Sequence, residues 1–207
     1  MSVLKRLAAL TGLTTVAAMA LAVPASATTV SSTTFRATIL EPLTVTVTLL
    51  GSPTTASCPS GTMSGTLNTD GTGLSVTSAS IGACSGSVSA TVTPENLPWS
   101  GGNVVYTNDG IRDREGTVTM AGFRVKAVVN VLGGITCIYG GALTGDAYNG
   151  ANPNRPVASS THAQAKATNV TVNKINSGSN FFCPGSASVS GVLELTDGSG
   201  NLITAGP

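Results

Sequence analysis

Charged side chains are scarce in this 207-residue sequence. Lysine, arginine, aspartate and glutamate make up 9% of it, against roughly a quarter in an ordinary globular protein. Ten basic and nine acidic residues give a formal net charge of +1. Such a chain lacks the basic patch that supplies most of the affinity for DNA or RNA, and it lacks a polybasic membrane contact. We therefore expect no nucleic-acid partner.

Aromatic residues and helical patterning are equally scarce. Phe, Trp and Tyr amount to 4% of the chain, with a single tryptophan. After the first 27 residues, no stretch repeats its apolar side chains at the 3.6-residue period of an amphipathic helix. No later apolar run is long enough to span a membrane as a helix. We expect strands, and no membrane span in the mature protein.

The side chains that most enzymes use are few and scattered. His162 is the only histidine, no Gly-x-Ser-x-Gly elbow occurs, and no second histidine lies near it to bind a metal. Glu95 and Glu194 could form the carboxylate pair of a glycosidase, but nothing in the sequence selects them. We predict a protein that is not an enzyme, with no catalytic residue, metal site or cofactor, and with His162 exposed at a loop end.

The densest charge cluster is segment 109–115. It holds three carboxylates, Asp109, Asp113 and Glu115, which are suitable ligands for calcium. Their spacing fits no EF-hand loop, and the two arginines among them would oppose a cation. We predict the solvated tip of a hairpin, whose opposite charges pair loosely.

The first 27 residues have the form of a secretory signal peptide. Lys5 and Arg6 give a basic start, an alanine-rich apolar stretch follows, and Pro24 interrupts it. Ala25-Ser26-Ala27 then places small residues where signal peptidase cleaves. A membrane anchor is the weaker alternative, because only about 17 apolar residues precede the break. We predict cleavage after Ala27 and a single secreted domain over residues 28–207, long enough for a sizeable core.

Four cysteines, Cys58, Cys84, Cys137 and Cys183, lie in the predicted secreted domain. An even number of cysteines in an exported chain indicates disulfides. Three pairings are possible, and the sequence does not choose between them. We favour Cys58–Cys84 and Cys137–Cys183, because neighbours along the chain are often neighbours in a sheet meander. Metal ligation is the alternative, but no two cysteines are closer than 26 positions.

Alternation of apolar and hydroxylated residues marks much of the chain. In segment 43–49, leucine and valine alternate with threonine, and similar patterns occur over 123–132 and 187–195. β-branched residues favour a pleated strand over a helix. Turn residues separate these segments at about the 8–12-residue spacing typical of sandwiches and barrels. We predict an all-β fold, an antiparallel sandwich or barrel of roughly 9–11 strands with two disulfides.

The stretch 78–99 joins Cys84 to the only tryptophan, Trp99. Between them we predict one strand over 82–93, ended by Pro94 because proline has no amide hydrogen for a sheet ladder. A lone tryptophan in a β-protein is usually a core residue, and the alternative is a platform on which a sugar or another flat molecule stacks. Tyr106 and Tyr139 are the other candidates for such stacking.

The order of these motifs resembles a family pattern. A Ser-Gly-Thr strand follows Cys58, and then come Ser80-Ile81-Gly82-Ala83-Cys84, Leu97-Pro98-Trp99, and Cys183 before Ser188-Val189-Ser190-Gly191. Over about residues 58–195 the chain is similar to the small secreted activators of alkane oxidation and to uncharacterised exported β-proteins of high-GC Gram-positive bacteria. It differs in its extra strands before Cys58 and its loop at 149–160. The resemblance implies a non-enzymatic bacterial protein acting at the cell surface or on hydrophobic growth substrates.

These observations favour a secreted structural or cell-surface protein of surface-active character. Its expected partners are cell-envelope components, polysaccharide or a hydrophobic substrate. The alternative is an extracellular module that binds a small ligand or a polysaccharide. The sparse aromatic residues weigh against a carbohydrate platform.

Overall fold

The computed structural model describes residues 27–49, 51–107, 113–131 and 133–207. The predicted signal peptide up to residue 26 and part of the charge cluster, residues 109–112, lie outside the described residues. Within these ranges, no helix is long and apolar enough to cross a membrane.

The described residues form thirteen strands. They are β1 (Thr29–Val30), β2 (Thr34–Leu49), β3 (Ser52–Cys58), β4 (Gly61–Thr66), β5 (Leu74–Ile81), β6 (Ser85–Gly86), β7 (Ala90–Pro94), β8 (Trp99–Tyr106), β9 (Gly116–Val129), β10 (Ile135–Tyr148), β11 (Ala163–Lys174), β12 (Ser186–Thr196) and β13 (Ala205–Gly206). Ten of them have five or more residues, which agrees with the predicted number, and the other three have two residues each.

Eight antiparallel strands close into a barrel. Their order around it is β2, β4, β5, β8, β9, β10, β11 and β12, and the pairing of β12 with β2 closes the ring. The predicted all-β fold is confirmed, and its form is the barrel. Threonines of β2 face outward while its valines face inward, as the alternation predicts.

Two long strands, β2 and β9, change partner midway and give the barrel two levels. At the first level β2 pairs with β4 and β9 pairs with β8, and β5 lies between β4 and β8. At the second level β2 pairs with β3 and β9 pairs with β7. Gly122, with φ of 69°, lies in β9 at this change, in the left-handed region that favours glycine. β6 pairs with β3, and Cys84, just before β6, forms a single bridge to Ala90 of β7, which links the two added strands.

Both disulfides have the predicted pairing. Cys58 at the end of β3 is bonded to Cys84, next to β6, and Cys137 in β10 is bonded to Cys183 in the loop before β12. The strand predicted over 82–93 is interrupted, however. Cys84 and Ala90 exchange two backbone hydrogen bonds of 3.0 Å, so the chain turns back between β6 and β7. Pro94 ends β7, as predicted.

The two ends of the barrel differ in charge. We name the first the uncharged end, because its turns contain no Asp, Glu, Lys or Arg: they are 50–51, 87–89, 130–134 and 175–185. We name the other the charged end, and its connections are 67–73, 107–115, 149–162 and 197–204. These carry Asp70, Asp113, Arg114, Glu115, Arg155 and Asp197 among the described residues.

The first and the last of the described strands close the charged end. The Ser- and Thr-rich residues 28–34 predict a loose lead-in, and the residues after the turn at 197–201 predict a short tail, but β1 pairs with β13. Val30 of β1 and Ile203, two residues before β13, are buried and form part of the floor of the interior. Asn149 exchanges two hydrogen bonds of 2.8 and 2.9 Å with the backbone of Ala205. Short strands of this kind carry no sequence periodicity, which is why the pattern misses them.

Candidate functional site: an apolar cavity in the barrel

A cavity of ≈ 260 Å³ occupies the barrel interior. An eight-stranded barrel is just wide enough for its inward side chains to fill it, or to hold one small ligand. Many inward positions here have almost no side chain. The small residues that line the cavity include Ala37, Ala56, Ala127, Ala165, Ala187 and Gly191. The cavity exists because alanine and glycine occupy inward positions at which a filled barrel would have large side chains.

The exposure of the cavity lining rises along β2. Phe35 and Ala37, in the half of this strand near the charged end, are buried. Val45, Val47 and Leu49, toward the uncharged end, also face the cavity but are only half-buried. On this strand the inward face is therefore less covered near the uncharged end.

Two buried hydroxyl groups of the cavity wall already have partners in the chain. The Thr54 hydroxyl donates to the carbonyl oxygen of Ser52 at 3.4 Å. The Tyr139 hydroxyl donates to the carbonyl oxygen of Pro184 at 3.2 Å. Burial raises the pKa of Tyr139 to about 12, so its hydroxyl is neutral at ordinary pH. A molecule in this part of the cavity would be held by apolar contact.

Beside the apolar Val30 and Ile203, the floor of the cavity contains polar side chains whose hydrogen bonds are made within the chain. The side-chain amide of Gln164, with no exposed surface, bonds both the N–H and the C=O of Val157, at 2.9 and 2.8 Å. One carboxylate oxygen of Glu115 accepts hydrogen bonds from the Asn149 backbone and the Asn152 side chain. These bonds hold the 149–162 loop against the charged end and leave the floor closed.

The three candidate stacking residues do not form one platform. Trp99 is 1% exposed and packs edge-to-face on Phe123, and its indole N–H donates to the carbonyl oxygen of Glu95 at 2.8 Å. Tyr139 is also buried. Tyr106 lies at the opposite end of β8 from Trp99. Since the Trp99 ring has no open face for a sugar, its arrangement fits the core role considered from the sequence.

The cysteines stabilise the cavity wall. Cys58, Cys84 and Cys137 all line the cavity, and all four cysteines are buried in the two disulfides. Across the described ranges, no group of three or more His, Cys, Asp or Glu side chains is arranged to hold a metal ion.

His162 is not a free loop-end histidine. Its Nδ1 lies 3.6 Å from Oε2 of Glu194, and the same oxygen accepts a 2.6 Å hydrogen bond from the Ser160 hydroxyl. In a nucleophilic triad the imidazole lies between the hydroxyl and the carboxylate. Here the Glu194 carboxylate accepts the hydrogen bond of the Ser160 hydroxyl directly, and the imidazole does not lie between them. Glu95, the other acid considered from the sequence, pairs with Arg124 at 3.3 Å.

No family model, no curated protein and no solved structure matches this chain. The resemblance to activators of alkane oxidation therefore rests on the sequence motifs alone and stays a prediction. The fold and the site define a class by themselves: a closed, disulfide-bonded β-barrel with an apolar interior and with one end whose turns carry no charge.

Proposed function

We propose that the protein is an extracellular binding protein that holds one small, uncharged, apolar molecule inside its barrel. The observation that carries this proposal is the ≈ 260 Å³ cavity, which is lined mainly by aliphatic side chains. We infer that the ligand enters from the uncharged end, where the inward residues of β2 are only half-buried. The two disulfides support an extracellular setting, since such bonds persist in oxidising compartments.

The physical chemistry of the cavity selects the ligand class. An apolar cavity of this kind stays dry and takes up apolar molecules, because water inside would find no polar partners. Transfer of apolar ligand surface out of water contributes ~25 cal/mol per Å². The volume lies just below the ~300–1,000 Å³ of pockets for drug-sized ligands. The ligand is therefore a hydrocarbon-like molecule smaller than a typical drug.

This proposal corresponds to the small-ligand part of the alternative drawn from the sequence. The buried Trp99 weighs against polysaccharide binding. A structural or cell-envelope role stays a prediction that the cavity does not require. The absence of catalysis is likewise part of the proposal, supported by the chemically inert lining described above.

The test is a titration of the purified, oxidised protein with an uncharged naphthylamine dye that fluoresces in apolar surroundings. We expect saturable binding with one dye per chain. A series of straight-chain alcohols should displace it with an optimum chain length, because a closed floor limits how much hydrocarbon fits. Unsaturable binding, or displacement that keeps improving with length, would contradict a bounded cavity.

Ala127→Phe provides the matched variant. Ala127 lies in β9 between Val92 and Cys137 and faces the cavity, so a phenyl ring there occupies ligand space. Val128→Phe adds a ring at the next residue, on the opposite face of the strand. We expect Ala127→Phe to weaken dye binding at least about tenfold, the loss of ~1.4 kcal/mol of contact. Equal binding by both variants would place the dye outside the barrel.

A further inference from the structure

Two phenylalanines of the uncharged end are exposed to solvent. Phe181 is 89% exposed and Phe182 is 50% exposed, and their rings meet edge-to-face with centroids 5.7 Å apart. Among the described residues, Val105 and Leu202 are the other large apolar side chains with substantial exposure. An aromatic pair left in water is a common sign of an interaction surface.

The loop that carries this pair is fixed to the barrel. Cys183, next to Phe182, is bonded to Cys137 of β10. The Asn180 backbone N–H donates to the carbonyl oxygen of Thr136 at 2.8 Å, and the Ser179 hydroxyl accepts from the Ile138 backbone at 2.8 Å. The Phe182 backbone N–H is itself held by the Asn180 side chain at 3.0 Å. The rings are therefore presented outward by a constrained loop.

The turns around the pair carry no charge, and the one cation near the pair in sequence is already bonded to the backbone. The four turns of the uncharged end contain no ionisable acid or base. The closest cation in sequence, Lys174, donates from Nζ to the carbonyl oxygen of Cys183 at 3.2 Å. An anionic lipid or an acidic protein surface would need basic residues here. A partner surface without net charge can bind without them.

The size of the exposed aromatic surface argues against a second copy of the chain as the occupant. One aromatic side chain buries about 150–250 Å², so the pair supplies at most about 500 Å². A stable protein interface needs about 800 Å² from each partner. A lipid surface needs no such area, since aromatic rings enter the headgroup region individually.

We propose that the uncharged end docks onto the surface of a lipid layer with zwitterionic headgroups, with Phe181 and Phe182 inserted among them. Pro184, two residues after Phe182, lines the cavity. Docking therefore brings the cavity opening against the lipid, and an apolar ligand can pass between the two without crossing water. This last step rests on the proposed function, whereas docking itself does not.

The experiment is co-sedimentation with sucrose-loaded vesicles of pure phosphatidylcholine. We expect the protein to pellet with the vesicles, with little change between low and high salt because no charge attraction is involved. The partition coefficient of Phe181→Ser/Phe182→Ser onto the vesicles should be roughly a hundredfold lower, because each ring that is removed lowers it about tenfold. Phe181→Leu/Phe182→Leu should retain most of the binding, because it keeps the apolar surface.

Leu202→Ser is the matched control. Leu202 is 61% exposed but belongs to the charged end, so its loss should leave vesicle binding unchanged. The proposal is overturned if the protein stays in the supernatant, if the double serine variant pellets equally, or if binding requires anionic lipid and disappears in salt. A second outcome would also overturn the proposal. If analytical ultracentrifugation without vesicles shows a dimer, and the double serine variant is a monomer, then a second copy of the chain is the occupant.

Dye binding separates this proposal from the proposed function. Phe181→Ser/Phe182→Ser should bind the dye in solution as the unchanged protein does, while Ala127→Phe should lose the dye and still pellet with vesicles. A protein that pellets normally but never binds dye would remove the cavity function and leave the docking surface in place.

Discussion

The indole of Trp99 meets the phenyl ring of Phe123 edge-on, with 5.0 Å between the ring centroids. Trp99 begins β8, and Phe123 follows Gly122, the positive-φ glycine of β9. The contact therefore lies where β9 changes its partner from β8 to β7, between the first and the second level of the barrel. The indole hydrogen bond to Glu95 also fixes the connection between β7 and β8. The two levels of the barrel are joined through this aromatic pair.

Replacement of Trp99 should therefore destabilise the whole barrel. We expect Trp99→Ala to lower the free energy of unfolding by about 3–5 kcal/mol, the cost of a large buried ring replaced by a cavity. Urea unfolding followed by circular dichroism measures it. Phe181→Ala is the control, since an exposed ring contributes within ~0.5 kcal/mol. Similar effects for the two variants would mean that Trp99 is not a core residue.

Loss of the Cys137–Cys183 disulfide should cost more than loss of Cys58–Cys84. The two bridges close chain segments with separations of 46 and 26 residues. In the chain-entropy model these contribute about 4 and about 3.5 kcal/mol, respectively. Paired cysteine-to-alanine variants, unfolded in urea, should follow this order. A larger loss from the Cys58–Cys84 pair would show that local packing, and not chain entropy, dominates.

Tyr139 should make the barrel sensitive to alkaline pH. An unfolded tyrosine releases its proton near pH 10, whereas the folded chain holds the Tyr139 proton until about 12 because the ring is buried. The unfolded state alone loses the proton between these values, so stability is full below pH 10 and falls as the pH rises toward 12. Urea midpoints across this range measure the effect, and Tyr139→Phe should show a smaller decline than the unchanged protein.

Val30 should hold the closed end of the barrel. Its side chain is 4% exposed beneath the pairing of β1 with β13. We expect Val30→Ser to destabilise by about 2 kcal/mol. Hydrogen exchange should accelerate first at the Ser31 and Thr204 amides, which are bonded across the two termini. Thr29→Ser, at an exposed neighbour, is the control and should leave both amides protected.

Local patterns in the sequence were sufficient for much of the fold. The period-two alternation over 43–49 gives the strand and its inward face, because only one face of that strand meets the interior. Pro94 ends a strand as its missing N–H requires. The disulfide pairing followed from proximity along the chain, which holds in this barrel because each bridge joins two parts of the chain that lie next to each other in its wall.

The closure and the cavity could not be predicted in this way. β2 pairs with β12 across most of the chain length, and alternation is the same whether two sheets stack or one sheet closes. A hollow barrel and a filled one also share the same alternation and differ only in side-chain volume. The sequence does contain small residues at inward positions, such as Ala56 and Ala127, and few aromatic residues. These small residues indicate a cavity only once the strands are known to close into one ring.

The pairing of Thr29 with Gly206 has a practical consequence for how the molecule can be attached. Segments 29–30 and 205–206 lie side by side at the charged end of the barrel. A tag, surface tether or fused domain joined next to either segment would hold the molecule by this end and leave the uncharged end free. The protein can therefore be immobilised in one orientation, as a sensor or display element would need, without obstructing the cavity.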